Sequence, residues 1–283
     1  MTQKDKTTFA SKVARVFSRK RRSNSPRPED RSEVVRASAY ATKWSGAQNF
    51  TDKRSDAGPP SEVPNPLREY FESRVEGRGI WKWLHYFDIY HRHLGKFVGR
   101  EVHIVEIGIF SGGSLDMWKH YFGPKCRVYG VDIEPACKKY EDEKTKIFIG
   151  DQADRGFWKA FREAAPAVDI LIDDGGHLPE QQIVTLEEML PHLRQGGVYI
   201  CEDVHSLWNG FAAYVAGLAD SLNAFVESGE PSTFQRDIHS VHLYPFVTVI
   251  EKCSPPRRQF SSVRHGTQWE PFAEKMPGWV PKH

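Results

Sequence analysis

Cysteine is scarce: Cys126, Cys137, Cys201 and Cys253 are the only four in 283 residues, and no two form a C-x-x-C pair. That excludes a disulfide-stapled scaffold and a cysteine zinc site, and it suits a reducing compartment such as the cytoplasm. No apolar run nears the roughly 18 residues that cross a bilayer, and the N-terminus lacks the apolar core of a secretory leader. No internal repeat is visible. A hydrophobic fraction of 39% and a charged fraction of 27% exclude a fully disordered chain. The formal net charge of +2 hides an asymmetry: residues 1–60 carry a balance of +8, the remainder −6. A basic tail on a mildly acidic body follows.

Residues 1–60, densest in SRKRRSNSPRPEDR, bury too little apolar surface to offset the entropy of ordering and read as a disordered tail. Within it Lys6–Phe17 has the pattern of a short basic helix, which makes a weak membrane-surface contact through residues 1–25 a candidate role. A nucleic-acid contact, without a firm motif for it, and an Arg-rich organelle transit segment are the other readings of this tail, beside that of a solvated linker. Residues 61–100 read as a helical segment, in which Trp83, Phe87, Tyr90, Leu94 and Phe97 step by 4, 3, 4 and 3 along one face. Such a stripe predicts core packing, Trp83 included. Over 101–253 the strands HIVEIGI, RVYGVDI, TKIFIG, VDILIDD and GGVYICED alternate with helices predicted at Ser114–Tyr121, Cys137–Glu143, Phe157–Ala165 and Glu180–Leu193. A helix from Leu207 to about Val226 and strands at Ile238–Leu243 and Val247–Glu251 follow. This alternation predicts an α/β, doubly wound, mostly parallel sheet with helices on both faces. Residues 254–283 read as an irregular extension.

The turn VEIGIFSGGSL places Glu106, Gly108, Gly112 and Ser114 where the first strand enters a helix. Glycine there lets backbone approach a ligand, and the helix start offers free N–H donors. The spacing departs from the dinucleotide G-x-G-x-x-G pattern, and no basic residue in the loop awaits a phosphate. Asp132 closes the second strand where such folds set a carboxylate on ribose hydroxyls, and Asp151 follows the third, within reach of an adenine edge. Acids along one sheet edge suit a nucleoside bearing a sulfonium better than a pyrophosphate.

A second group comes from IDDGGH, ending the fourth strand, and CEDVH, ending the fifth. Asp173, Asp174, Glu202 and Asp203 would crowd one another, clustered without Lys or Arg between them, and they require a cation or protons. All-oxygen ligation fits Mg²⁺. His177 is three residues past Asp174, placed to act as a general base. His205 is equally consistent with a structural role.

The strand-end acids resemble those of class I S-adenosylmethionine-dependent methyltransferases. There Glu106 and Gly108 would line the methionine portion, Asp132 the ribose, and Asp151 with Gln152 the adenine. Over residues 79–252, GIWKWLHYFDIYHRH, VEIGIFSGGSL, YGVDI, GDQAD, IDDGGH and GGVYICEDVHSLW look like the Mg²⁺-dependent sugar O-methyltransferases of macrolide pathways, of mycinamicin and tylosin type. The resemblance implies a seven-stranded Rossmann-like sheet and S-adenosyl-L-methionine as methyl donor. It further implies Mg²⁺ on Asp174 and Asp203 with Glu202 as a further ligand, His177 as base, and a small-molecule or glycan hydroxyl as acceptor. A homo-oligomer is compatible with it. The competing readings are a nicotinamide-dependent oxidoreductase and a methyltransferase-like binding module tethered by its tail. Trp81, Trp83, Tyr86, Trp208 and Phe211 flank the expected site as candidates for an acceptor wall.

Overall fold

The computed structural model describes residues 32–43, 64–205, 209–224, 230–261 and 265. The chain divides into two compact units, residues 1–64 with 206–210, and the rest. In the first, the described element is helix α1 (Ser32–Thr42), where the sequence predicted disorder. Its SEVVRASAYAT contains good helix formers, and the Thr42 hydroxyl donates back to the Ser38 carbonyl at 2.8 Å. The Lys6–Phe17 helix and the membrane-contact segment 1–25 lie outside the described residues.

The second unit holds a seven-stranded sheet: β1 (Val102–Ile107), β2 (Cys126–Asp132), β3 (Thr145–Ile149), β4 (Val168–Asp173), β5 (Leu193–Cys201), β6 (Ile238–Tyr244) and β7 (Val247–Lys252). The order is β3-β2-β1-β4-β5-β7-β6. The first five strands are parallel, and β7 enters antiparallel to both β5 and β6. Sequence order reverses between β1 and β4, so the loops after these two strands diverge and open a crevice at the carboxyl edge.

Alternate residues of each strand face opposite layers. Ile104, Ile170, Ile172, Val198 and Ile200 pack under helices α2 (Pro66–Ser73), α3 (Tyr86–Leu94) and α4 (Gly113–Phe122), through Leu67, Phe87, Tyr90, Leu94, Trp118 and Phe122. Their neighbours Val105, Leu171 and Tyr199 face Trp158 and Phe161 of α5 (Arg155–Ala164), Val184 and Met189 of α6 (Pro179–Met189), and Phe211 and Val215 of α7 (Gly210–Asn223). This period of two, buried on both faces, is what two-sided helical cover demands. A short α8 (Thr233–Asp237) precedes β6.

Three predicted elements changed shape. The stripe from Trp83 to Phe97 forms a helix only over Tyr86–Leu94, then a 3₁₀ turn at Gly95–Phe97. Cys137–Glu143 is not α-helix. Pro135–Tyr140 is a 3₁₀ turn, started by Pro135 and by the Glu134 carboxylate accepting from Ala136 N at 3.0 Å. The helix expected to reach Leu193 stops at Met189, two residues before Pro191. Beyond β7, residues 254–261 have no regular secondary structure and are held by Arg257, whose guanidinium donates to the Ile238 carbonyl at 2.6 Å. Among the described residues no helix is long and apolar enough to cross a membrane.

Candidate active site

The turn after β1 is shaped by glycine. Gly108 has φ +84°, and a Cβ there would run into the carbonyl oxygen of Asp174. Gly112 has φ +72° and packs against the Tyr140 ring. The loop after β1 therefore lies directly on the loop after β4. Gly108→Ala should cost more than the ~1–2 kcal/mol of a left-handed non-glycine residue, because the carbonyl must also shift. Thermal unfolding measures this, and an unchanged Tm would refute it.

Asp132 anchors this loop. Its Oδ2 accepts from Ile109 N at 2.8 Å and Phe110 N at 3.2 Å, and its Oδ1 from Glu134 N at 2.9 Å. Glu106 is fully buried beneath it. Ser114 Oγ donates to Glu106 Oε2 at 2.7 Å, while Oε1 has no hydrogen-bond partner. Burial raises the Glu106 pKa. Asp151 stays exposed and accepts from Ala153 N at 2.8 Å.

Gln152 departs from the expectation of an adenine contact through its side chain. Its amide is buried, donating to Asp173 Oδ1 at 3.0 Å and Thr185 Oγ1 at 3.1 Å, while its Oε1 accepts from Gly176 N at 2.8 Å. A free amide would have to break three bonds to turn outward. The side chain instead braces the Gly175-Gly176 turn that aims His177.

The same network separates the two aspartates of IDDGGH. Asp173 is buried, accepting also from Gly175 N at 3.3 Å and from the Tyr199 hydroxyl at 3.3 Å. Burial pushes its carboxyl up to about 7. Asp174 turns into the crevice. His177 Nε2 lies 3.9 Å from Asp174 Oδ1 and 3.7 Å from Asp203 Oδ2. One ligand atom from each of Asp174, His177 and Asp203 falls within 4.8 Å of the others. Both His177 (φ +56°) and Asp203 (φ +53°) adopt the left-handed conformation, which non-glycine residues hold only where the surroundings impose it. Asp203 is fixed by the Tyr86 hydroxyl, donating to Oδ1 at 2.7 Å, and by the Trp83 indole N–H, donating to the same oxygen at 3.2 Å. Its Oδ2 is left toward the crevice.

Lys82 overturns the premise that no cation lies among the carboxylates. Its Nζ donates to Asp174 Oδ2 at 2.6 Å and to Glu202 Oε2 at 2.8 Å, and stands 4.0 Å from Glu106 Oε1. The side chain is only 3% exposed. Burial would depress the ammonium, but Asp174, Glu202 and Glu106 together outweigh it and hold Lys82 above its ordinary range. Glu202 shares this ammonium with Asp174, and its Oε1 also accepts from the buried Tyr90 hydroxyl. Burial raises its carboxyl despite the lysine.

The donor set fits a hard divalent cation at Asp174 and Asp203, with Glu202 beside them on the same lysine that holds Asp174. Two carboxylate oxygens converge there beside an imidazole whose Nδ1 is buried without a partner. Of the proposed acceptor wall, Trp83 is 52% exposed rather than core, within 5.5 Å of the Phe246 ring. Trp81 is also exposed, whereas Tyr86 and Phe211 are buried. Trp208 lies outside the described residues. His205 is exposed against Phe246, with ring centroids 5.8 Å apart.

This sheet, its order and its loop chemistry define the Rossmann-like methyltransferase fold. No protein-family model matches the chain. The chain is similar to demethylmacrocin O-methyltransferase of Streptomyces fradiae, 32% identical over 228 residues, 71% of this chain and 53% of the relative. It is also similar to mycinamicin VI 2''-O-methyltransferase of Micromonospora griseorubida, 32% identical over 197 residues, 60% of this chain and 49% of the relative. Among solved structures, MycE methyltransferase from the mycinamycin biosynthetic pathway, in complex with Mg and SAH, is 27% identical. It matches with a TM-score of 0.56 over 68% of this chain and 55% of that one. The chain is a homologue of the macrolide-sugar O-methyltransferases, and it spans about half the length of the curated relatives it matches.

Proposed function

We propose that the chain is an S-adenosyl-L-methionine- and Mg²⁺-dependent O-methyltransferase acting on a hydroxyl of a sugar or other vicinal diol, carried by a small molecule or glycan. The observation that carries this reading is the seating of Gly108 against the Asp174 carbonyl. It supports a methyl donor bound on the glycine loop beside the Asp174–His177–Asp203 trio. The names of the relatives, and the Mg and SAH in the MycE structure, support it.

Asp174 Oδ1 and Asp203 Oδ2 would hold the ion, which supplies Lewis-acid activation and orientation of the acceptor hydroxyl. His177 takes the hydroxyl proton at Nε2. Tyr86 and Trp83 keep Asp203 turned toward the crevice, and Gln152 keeps the His177 turn in place. Glu106 Oε1 and the loop backbone at Gly108–Ser114 receive the methionine end of the donor, with Asp132 and Asp151 along the nucleoside. Exposed Trp83 offers an aromatic face to an acceptor ring. The oxidoreductase alternative lacks the dinucleotide glycine spacing.

Calorimetry with S-adenosylhomocysteine and with NAD tests the cofactor class: binding of the first and not the second is expected. Chelation is expected to abolish methyl transfer while leaving S-adenosylhomocysteine affinity largely intact. Full activity in excess EDTA would remove Mg²⁺ from the reading.

A further inference from the structure

A second constellation of metal-binding side chains lies on the far edge of the sheet, where α3 packs against the β6–β7 hairpin. His93 of α3, His242 of β6 and Glu251 of β7 each present one donor atom, all within 4.8 Å of one another. His93 and His242 stand ring to ring with centroids 4.6 Å apart, and His93 Nδ1 is 2.7 Å from Glu251 Oε1. Two histidines and one carboxylate form a donor set that a zinc-like ion accepts in tetrahedral geometry, with a fourth position for water.

A hydroxyl on the opposite nitrogen orients each imidazole. His93 Nε2 is 2.9 Å from the Tyr244 hydroxyl, and His242 Nε2 is 2.9 Å from Ser240 Oγ. Metal-binding histidines are commonly fixed through such a bond on the other ring nitrogen, which also sets the tautomer. Among the described residues His242 Nδ1 then has no hydrogen-bond partner. We propose that His93, His242 and Glu251 form a Zn²⁺-type transition-metal site, separate from the active site, that fastens the edge hairpin to α3.

Lys96, whose Nζ is 3.6 Å from Glu251 Oε2, competes for that carboxylate, but it is partly exposed and free to turn into solvent. Arg92 and His239 add positive charge near His242 and set a limit on affinity. His242 and Glu251 are partly exposed, which gives the ion a way in. The hairpin tip borders the active site: His85 Nε2 is 3.0 Å from the Pro245 carbonyl, and Val204 N donates to the Phe246 carbonyl at 2.9 Å.

The test uses the full chain without an affinity tag, dialysed against chelator, in an Asp174→Asn background that disables the active-site trio. Zn²⁺ titration by calorimetry is expected to show one bound equivalent, and Co²⁺ the intense visible absorption of a four-coordinate ion. His242→Ala should abolish both. Tyr244→Phe should weaken Zn²⁺ affinity ~10–100-fold, as loss of an orienting hydroxyl does. Should His242→Ala fail to fold, Glu251→Gln replaces it, with the same loss expected. Absence of Zn²⁺ binding in the Asp174→Asn chain, or binding unchanged by the His242 or Glu251 substitution, overturns the proposal without bearing on methyl transfer.

Discussion

His177→Ala is expected to bind S-adenosylhomocysteine as the unaltered chain does, and to lose ~10²–10⁴-fold in methyl-transfer rate, the usual contribution of a positioned general base. Among the described residues the imidazole pairs with Asp174 and Asp203 and makes no hydrogen bond to the glycine loop or Glu106, so its removal is expected to leave the methyl-donor side intact. Its Nε2 stands 3.9 and 3.7 Å from the two carboxylates, close enough to be read either as the proton acceptor or as a third ligand. The two roles separate in one experiment. As a base, His177 can be lost with little change in Mg²⁺ affinity, measured by displacement of Mn²⁺ followed by electron paramagnetic resonance. As a ligand, its loss weakens that affinity along with the rate. We expect the first outcome. A variant that methylates sugar diols at the unaltered rate would eliminate His177 from the chemistry altogether.

The left-handed backbone of His177 gives this prediction a structural control. Because φ is +56°, His177→Gly relieves backbone strain while deleting the same imidazole. Rate loss equal to that of His177→Ala, with stability no lower, would assign the defect to the missing ring rather than to a distorted turn. A rate loss found only with alanine would place the fault in the backbone.

Much of this geometry was legible in the sequence because it follows local rules. Apolar runs ending in Gly or a carboxylate mark buried parallel strands, and each of the five lands within the sheet. Asp174, His177 and Asp203 converge because parallel strands deliver their carboxyl ends to one edge, whatever the intervening chain does. What escaped depends on contacts that spacing does not encode. Gln152 follows Asp151 and looks like its partner, yet in the turn after β3 its amide is buried, where the carboxylate of Asp173 accepts from it. Trp83 begins the helical stripe on paper, but its indole N–H finds Asp203 and the helix starts three residues later. Lys82 escaped notice within the carboxylate cluster because it lies 120 residues from Glu202 in sequence. One signal was present: Lys82 sits between two tryptophans in the WKW of an otherwise apolar segment, a setting that water-seeking lysines avoid unless an acid awaits them.

That lysine carries the largest stability effect we expect. Lys82→Met preserves length and apolar volume but removes the ammonium that meets Asp174, Glu202 and Glu106. Breaking a buried ion pair from one side typically costs ~3–5 kcal/mol, because the stranded charge keeps its desolvation penalty and loses its partner. Here the penalty can be relieved by protons. Burial already raises the Glu202 and Glu106 carboxyls above the ordinary range, and loss of Lys82, the largest influence opposing that burial, raises them further. A carboxyl whose pKa is higher folded than unfolded binds more protons when folded, so stability falls as pH rises from the unfolded pKa toward the folded one. The unaltered chain shares that fall up to its own Glu202 value of about 8, so the deficit of the variant is expected to widen as pH rises above about 8. Urea denaturation at a series of pH values reads this directly. A deficit that is flat with pH would mean that Lys82 acts through packing alone, and no deficit at pH 7 would mean that the ammonium does not hold the cluster. The same substitution frees Asp174 Oδ2 and Glu202 Oε2 toward the crevice. Tighter Mn²⁺ binding by Lys82→Met than by the unaltered chain would show that the lysine and the divalent ion compete for Asp174.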